Sequence, residues 1–218
     1  MRKLYLFLFL FLPLATWAQG EWEVPDATPS TQVKTKAKKE KKAQQAEDYK
    51  WAKYLGDIIP IVDGNVEWQR TFQNHRSAEE NYTMMLDFLT KMTKEEGQLP
   101  PSKVQLVNKT EHKIVCHFEE WMVFTSTLLL LDRGRFIYTI ACDCYDNRVE
   151  VKLMRLSYLY DETHNGGSKY KAEEWITDKY AVNKKRTRLL KITGKYRRKT
   201  VDRMEEILEN MNRLLTSE

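Results

Sequence analysis

Apolar and polar residues alternate through the middle of this chain, and this period of two constrains the fold more than any other feature. The alternation is clearest from Phe136 to Cys144 and from Val149 to Leu153, and shorter runs occur at Val104 to Val107 and Ile114 to Phe118. Successive side chains of a strand point to opposite faces, so the pattern predicts an antiparallel meander with one apolar face.

Two amphipathic helices and one earlier strand flank this meander. Asn65 to Phe72 is predicted to be a strand, and Ser77-Ala-Glu-Glu80 forms a capping box that predicts a helix extending to about Glu96. A second apolar stripe, from Val201 to Leu215, predicts a closing helix with Thr200 as its N-cap. The predicted class is α+β, in the order strand, helix, antiparallel meander, helix, with the helices on one face of the sheet.

Residues with turn propensity separate the predicted strands. Asp132-Arg-Gly-Arg135 follows the apolar run from Val123 to Leu131 and is predicted to be a hairpin turn. Asp146-Asn147 predicts a second turn, and the Gly-rich stretch from Asp161 to Lys171 predicts a loop.

The first eighteen residues resemble an export signal. Arg2 and Lys3 precede an apolar run from Leu4 to Ala15, and Thr16-Trp-Ala18 has small residues where a signal peptidase would cleave. The alternative is an uncleaved anchor, but the run is shorter than the ~20 apolar residues that span a bilayer. We expect a protein exported to the periplasm or outer cell surface, with no transmembrane segment in the mature chain.

Residues 19–48 are predicted to be a disordered Lys-rich linker, leaving 49–218 as a single domain. The run from Lys34 to Lys42 holds six lysines, and the linker offers too little apolar surface to form a core. Contact of these lysines with lipid phosphate or anionic glycan stays open as an alternative.

A second basic block, from Lys184 to Lys199, has nine Lys or Arg in sixteen positions and no acid. It is predicted to be a surface segment, because nine unpaired cations cannot be buried at tolerable cost. The basic surface candidates in this block are Lys184, Lys185, Arg186 and Arg188.

Several stretches are similar to secreted Bacteroidetes proteins that carry the domain of unknown function 4468. The similarity covers roughly residues 50–212 and is carried by Lys53 to Val66, Val115 to Trp121, Leu131 to Tyr138, Ala172 to Asp178 and Gly194 to Thr200. The resemblance implies a fold like that of the TATA-box-binding protein. It implies no activity and assigns no residue a role.

The three cysteines leave three alternatives open. Cys142 and Cys144 are two apart on one strand face, too distant for a mutual disulfide. Core packing, a disulfide from Cys116 to either of them, or a metal site with His112 or His117 would each be compatible with the spacing. Their apolar neighbours favour core packing, so we predict no metal and no cofactor.

No catalytic signature is present. None of the four histidines has a nucleophile or carboxylate at a spacing typical of a catalytic pair, and no phosphate-binding glycine motif occurs. Glu119 and Glu120 would face opposite sides of a strand, and we predict a solvated pair at a strand end. The sequence therefore predicts a protein that is not an enzyme.

Aromatic residues suggest a binding role instead. Our candidate ligand-binding residues are Trp121, Phe136, Tyr138 and Trp175. The alternative is that the loop from Asp161 to Val182 folds over the open sheet face and buries Trp175 and Ile176 there. The predicted function is an exported non-enzymatic binding module that holds a small apolar ligand or an envelope protein against its sheet.

Two alternative functions stay open. The C-terminal helix and the basic run would serve as a protein-protein interaction arm, or the basic block would bind nucleic acid. The second is less favoured, because base readout needs aromatic wedges among the basic residues and the block contains only Tyr196. We therefore expect no specific nucleic-acid partner.

Overall fold

The computed structural model describes residues 51–126, 131–160 and 166–216. The predicted signal peptide, 1–18, and linker, 19–48, lie outside the described residues. The strands are β1 (Ile61–Val62), β2 (Asn65–Val66), β3 (Trp68–Gln73), β4 (Lys103–Asn108), β5 (Lys113–Ser126), β6 (Leu131–Tyr145), β7 (Arg148–Tyr160) and β8 (Ser168–Lys171). The helices are α1 (Ala78–Met92), α2 (Asp178–Ala181) and α3 (Thr193–Thr216), with 3-10 turns at Ala52–Tyr54 and Ala172–Glu174.

The main sheet is antiparallel and has the order β3-β7-β6-β5-β4. Strand β8 pairs with β7 on the edge that β3 also uses, but further along the strand. The short β1 and β2 form a separate hairpin. This arrangement confirms the predicted α+β class, a meander followed by a C-terminal helix.

Helix α1 begins at the predicted capping box. The Ser77 side chain accepts the Glu80 N–H, and Glu80 Oε2 accepts the Ser77 N–H at 2.8 Å. The helix ends at Met92, four residues before the predicted end. The chain then turns, and Gln98 forms an antiparallel β-bridge with Glu120 of β5. A good start signal therefore fixed one end, while a tertiary contact fixed the other.

One face of the sheet, the covered face, packs against α1 and α3. Alternate residues of β5, β6 and β7 are buried there, including Phe118, Tyr138, Ile140 and Leu153. The three cysteines belong to the same face, as buried free thiols. Burial raises the pKa of Cys116 and Cys144 to about 12. Core packing is therefore the arrangement that the structure shows.

Helix α3 starts at Thr193, so the prediction that Thr200 is its N-cap is wrong. Thr200 is buried, and its hydroxyl hydrogen-bonds the Tyr158 hydroxyl at 2.7 Å. Arg197, in the basic block, is fully buried, which corrects the prediction of a wholly surface segment. The first part of the block differs, since the residues from Lys184 to Arg188 are exposed.

Arg197 is buried because its guanidinium is fully engaged. It donates to the carbonyls of Tyr54, Gly56 and Ile176, and it pairs with Asp178 at 2.7 Å. Four acceptors offset the loss of hydration that makes an unpaired buried charge costly. The charge count of a segment does not reveal such acceptors, which come from distant parts of the chain.

The predicted turn at Asp132 to Arg135 is wrong, because these residues lie within β6. Strand β5 ends at Ser126 and β6 begins at Leu131, so the connection is 127–130, outside the described residues. Gly134 lies directly beneath the phenol of Tyr196, where a Cβ would clash with the hydroxyl. The glycine permits close packing within a strand. The predicted loop also contains strand β8 at Ser168–Lys171.

Candidate functional site

The second face of the sheet, here called the open face, has neither α1 nor α3 packed on it. Its residues alternate with those of the covered face along β5, β6 and β7. Apolar positions such as Val115, Ile137 and Leu159 are only partly buried there. An open antiparallel sheet face of this kind is a ready surface for a partner.

Trp121 and Arg133 form a stack on the open face. The Arg133 guanidinium carbon lies 3.7 Å from the centroid of the Trp121 ring, and that of Arg135 lies at 5.8 Å. The two arginines come from β6, and Trp121 pairs with Arg135 across the strands. A cation over an indole face is favourable by about 0.5–1 kcal/mol at exposed sites.

Glu119 lies next to this stack and its charge is already compensated. Its Oε2 accepts from Arg135 at 3.0 Å, and its Oε1 lies 3.2 Å from Nε2 of His117. The Arg133 guanidinium, by contrast, has no carboxylate within ion-pair distance among the described residues. The stack therefore offers an aromatic surface and an uncompensated cation side by side.

The open face as a whole is cationic. The residues whose register places them on it include eight Lys and Arg, against three carboxylates. The cations are Lys103, Lys113, Arg133, Arg135, Arg148, Lys152, Lys169 and Lys171, and the acids are Glu119, Asp143 and Glu150. Such a surplus attracts an acidic partner and accelerates its association.

Glu119 and Glu120 do face opposite sides, but neither is solvated at a strand end. Glu120 lies in mid-strand on the covered face and is 9% exposed. Arg203 of α3 holds it through Nε and Nη2, each at 3.0 Å. Burial, with the Glu120 charge, raises the pKa of Tyr138 well above its usual value. The Arg203–Glu120 pair joins α3 to β5.

The structure does not bring the four predicted ligand-binding residues together. Phe136 and Tyr138 are fully buried on the covered face, whereas Trp121 lies on the open face. Trp175 is partly buried and stacks on Tyr170, with ring centroids 3.8 Å apart. Of the four, Trp121 alone has a position from which it would meet a ligand on the open face.

The segment after β8 packs on the covered side of the sheet, not over the open face. Tyr170 pairs with Tyr158 of the covered face, and Ile176 is fully buried. The Trp175 ring meets the Tyr196 ring of α3 at 5.8 Å. The described part of this loop therefore buries Ile176, as that alternative predicted, but on the covered side of the sheet and not on the open face.

The basic residues of the open face were missed because the turn and loop predictions concealed them. Arg133 and Arg135 belonged to the predicted turn, and Lys169 and Lys171 to the predicted loop. A usable signal was present, since the alternation of Phe136 and Tyr138 extends backward through Gly134, which leaves the two arginines on the opposite face.

A metal site is not assembled in the part of the chain that the structure describes. No three His, Cys, Asp or Glu side chains converge there in a group suited to hold a metal ion. No described helix has the length and apolar run needed to cross a bilayer.

The chain is similar to proteins of one family. A family model described as domain of unknown function (DUF4468) with TBP-like fold matches residues 68–159. A crystal structure of a DUF4468 family protein from Bacteroides ovatus ATCC 8483 is 34% identical, covering 77% of this chain and 96% of that chain, with a TM-score of 0.69.

A second solved structure shares the fold at lower identity. The TBP-like protein from Parabacteroides distasonis ATCC 8503 is 20% identical over 73% of this chain and 99% of that chain, with a TM-score of 0.59. No curated protein matches. The matched strands and the 34% identity to the Bacteroides ovatus protein show that this chain belongs to the DUF4468 family and has a TBP-like α+β fold.

Proposed function

We propose that this protein is an exported, non-enzymatic binding module that holds an acidic segment of an envelope protein against its open sheet face. The observation that carries the proposal is the Trp121–Arg133 stack, an aromatic ring and an uncompensated cation on a cationic surface. Trp and Arg are the residues that most often dominate the energetics of protein interfaces.

A protein partner suits this surface better than a small apolar ligand. The aromatic residues that would have lined an apolar pocket are stacked within the core, with Phe136 and Tyr158 centroids 5.3 Å apart. The apolar positions of the open face, Val115, Ile137 and Leu159, are separated by charged residues. An extended acidic chain would meet both kinds of residue, whereas a small ligand would not.

The two other candidate functions have less support. The apolar stripe of α3 is buried in the core, from Val201 to Leu215, so this helix has no free apolar face to offer a partner. For nucleic acid, base readout needs aromatic wedges among the basic residues, and the exposed part of the basic block, from Lys184 to Arg188, contains none.

Export rests on the predicted signal peptide. We expect N-terminal mass spectrometry of the protein from its native envelope to find a mature chain that begins at Gln19. Retention of Met1 in a cytoplasmic fraction would contradict the export part of the proposal and leave the binding part untouched.

Binding is tested with labelled probes and the mature chain. We expect a labelled peptide that alternates Glu with Leu to bind, and a peptide that alternates Lys with Leu not to bind. Arg133→Glu should weaken acidic-peptide binding about tenfold or more, since a close charge pair becomes a repulsion. The matched control is Lys94→Glu, an exposed lysine beyond the end of α1, which should leave binding unchanged.

A photo-crosslinking residue then tests the face in the native envelope. Placed at Ile137 on the open face, it should give a discrete adduct that Arg133→Glu abolishes, while the same residue at Thr83 on α1 should give none. Equal loss of peptide binding in Arg133→Glu and Lys94→Glu would overturn the proposal. A labelled oligonucleotide that binds tightly with sequence preference would favour the nucleic-acid alternative instead.

A further inference from the structure

The outer edge of β7 changes partner partway along, and this leaves a gap in the sheet. Strand β3 pairs with β7 up to Leu153, and β8 begins to pair at Ser157. The residues between them, Met154 to Leu156, have neither strand beside them. On the inner side the register against β6 shifts at the same place, so Arg155 and Leu156 both oppose Tyr138. The gap therefore coincides with a β-bulge.

Arg155 occupies the bulge in a conformation that disfavours its side chain. Its φ is +56°, in the left-handed region, where glycine is the usual residue of such bulges. Three of the other non-glycine residues with positive φ in the described chain are Asp63, His112 and Asn147, types that tolerate it better. A strained arginine where glycine would be unstrained suggests that its side chain has a use.

A cavity of about 430 Å³ lies in this gap. Three cations line it: Arg155 from the bulge and Lys169 and Lys171 from β8. Ser157, 7% exposed, adds a hydroxyl group, and Met154 contributes an apolar wall. The cavity thus combines positive charge, a hydrogen-bonding group and an apolar surface.

None of the three cations has an ion pair or hydrogen bond with another side chain in the described ranges. Two carboxylates also line the cavity, so its lining carries a net formal charge of +1, from three cations and two acids. Glu173 Oε1 accepts the Val66 N–H at 2.6 Å, and Glu67 Oε1 accepts from the Gln69 amide at 2.7 Å. Because neither carboxylate is paired with one of the three cations, an anion that entered the cavity would meet a surplus of positive charge.

We propose that this cavity binds the phosphate group of a phosphate monoester. A phosphate oxyanion would accept hydrogen bonds from the three cations, and charge-assisted hydrogen bonds to Arg and Lys are about twice as strong as neutral ones. The apolar wall at Met154 would contact the carbon skeleton of the ligand. Such a group occurs in phosphorylated small molecules and in the headgroup of phosphatidic acid. The cavity shares Lys169 and Lys171 with the cationic open face, but the inference does not rest on the Trp121–Arg133 stack that carries the proposed function.

Titration of the mature protein with defined phosphates tests the site. We expect inorganic phosphate and glycerol 3-phosphate to bind saturably in calorimetry, with Lys171→Gln weakening both about tenfold. Co-sedimentation with phosphatidic acid vesicles, compared with phosphatidylcholine vesicles, distinguishes the source. Binding to phosphatidic acid that Lys171→Gln abolishes would identify a lipid, and binding of soluble phosphates alone would identify a small molecule.

Arg155→Gly separates binding from folding. Glycine accepts the positive φ, so we expect an unchanged or higher melting temperature together with about tenfold weaker phosphate binding. Arg186→Gly is the matched control, since Arg186 has a φ of +54° and is exposed in another loop. The Arg186→Gly variant loses one positive charge and one residue with positive φ, as Arg155→Gly does, but its phosphate affinity should not change.

Three results would overturn the inference. One is the absence of saturable phosphate binding to the wild-type chain, and another is equal weakening by Arg155→Gly and Arg186→Gly, which would show general charge attraction. The third is full phosphate affinity in Arg155→Gly. Loss of acidic-peptide binding in Arg133→Glu with phosphate binding intact would show that the two sites are separate.

Discussion

The covered face and the open face of β5, β6 and β7 differ in their residue types and in the surroundings of their charged side chains. On the covered face, β5, β6 and β7 present aromatic rings, aliphatic chains and thiols, all buried. On the open face the intervening residues include Trp121 and most of the sheet's lysines and arginines. Because strand side chains alternate, one stretch of sequence encodes both a core and a binding surface.

Charged groups do not by themselves reveal which face they belong to. Arg197 and Glu120 are buried on the covered side, each with several partners from distant elements. Arg133 lies on the open face, where no described carboxylate is within ion-pair distance of it. The comparison teaches that the partners of a charge, not the charge itself, decide its location.

The largest expected effect is at Arg197. Arg197→Met removes one partner of a buried ion pair and leaves Asp178 and three carbonyls unsatisfied, so unfolding free energy should fall by about 3–5 kcal/mol. On the open face, Arg133→Met loses one cation–π contact and should cost less than about 1 kcal/mol. Urea denaturation measures both unfolding free energies, and a similar decrease in the two variants would contradict the proposed difference between the faces.

Two isoleucines of β6 compare the faces with identical chemistry. Ile140 is fully buried on the covered face, and Ile137 is partly exposed on the open one. We expect Ile140→Ala to destabilise the fold by about 2–5 kcal/mol and Ile137→Ala by less than about 1.5 kcal/mol. Should the Ile137 variant prove the more costly, some other element must cover the open face.

Gly134 tests how closely α3 packs on the covered face. Gly134→Ala should destabilise by about 1–3 kcal/mol, because the new methyl group overlaps the Tyr196 hydroxyl. That hydroxyl is buried without a hydrogen-bond partner among the described atoms, so Tyr196→Phe should cost little. The double variant should recover much of the loss, and strictly additive effects in thermal unfolding would contradict the proposed contact.

The smallest expected effect on stability near neutral pH concerns the thiols. Burial raises the pKa of Cys116 and Cys144 to about 12, against about 8.5 in an unfolded chain. The folded state keeps protons that the unfolded state loses, so their contribution to stability is complete below about pH 8.5 and declines as pH rises toward 12. Thiol reagents should react slowly with native protein at pH 8 and rapidly in urea. Fast reaction of the native chain would show an exposed thiol.

Local signals in the sequence were reliable where the partners are close in sequence. The Ser77–Glu80 capping box and the Asp146-Asn147 turn were both correct, and Asn147 has the positive φ, +65°, that such a turn needs. The signals failed where the partner was distant. Gly134 was taken for a turn residue because nothing nearby reveals that Tyr196 packs on it.

By itself, the sequence determined the two long helices and the main strands, because helix caps and the two periods depend on residues within a few positions of one another. The alternation also determined which residues share a face. The tertiary structure decided which face the helices cover, where Arg197 finds its four acceptors, and how β3 and β8 leave a gap at Arg155. These features depend on contacts between residues far apart in the chain, which a local pattern does not encode.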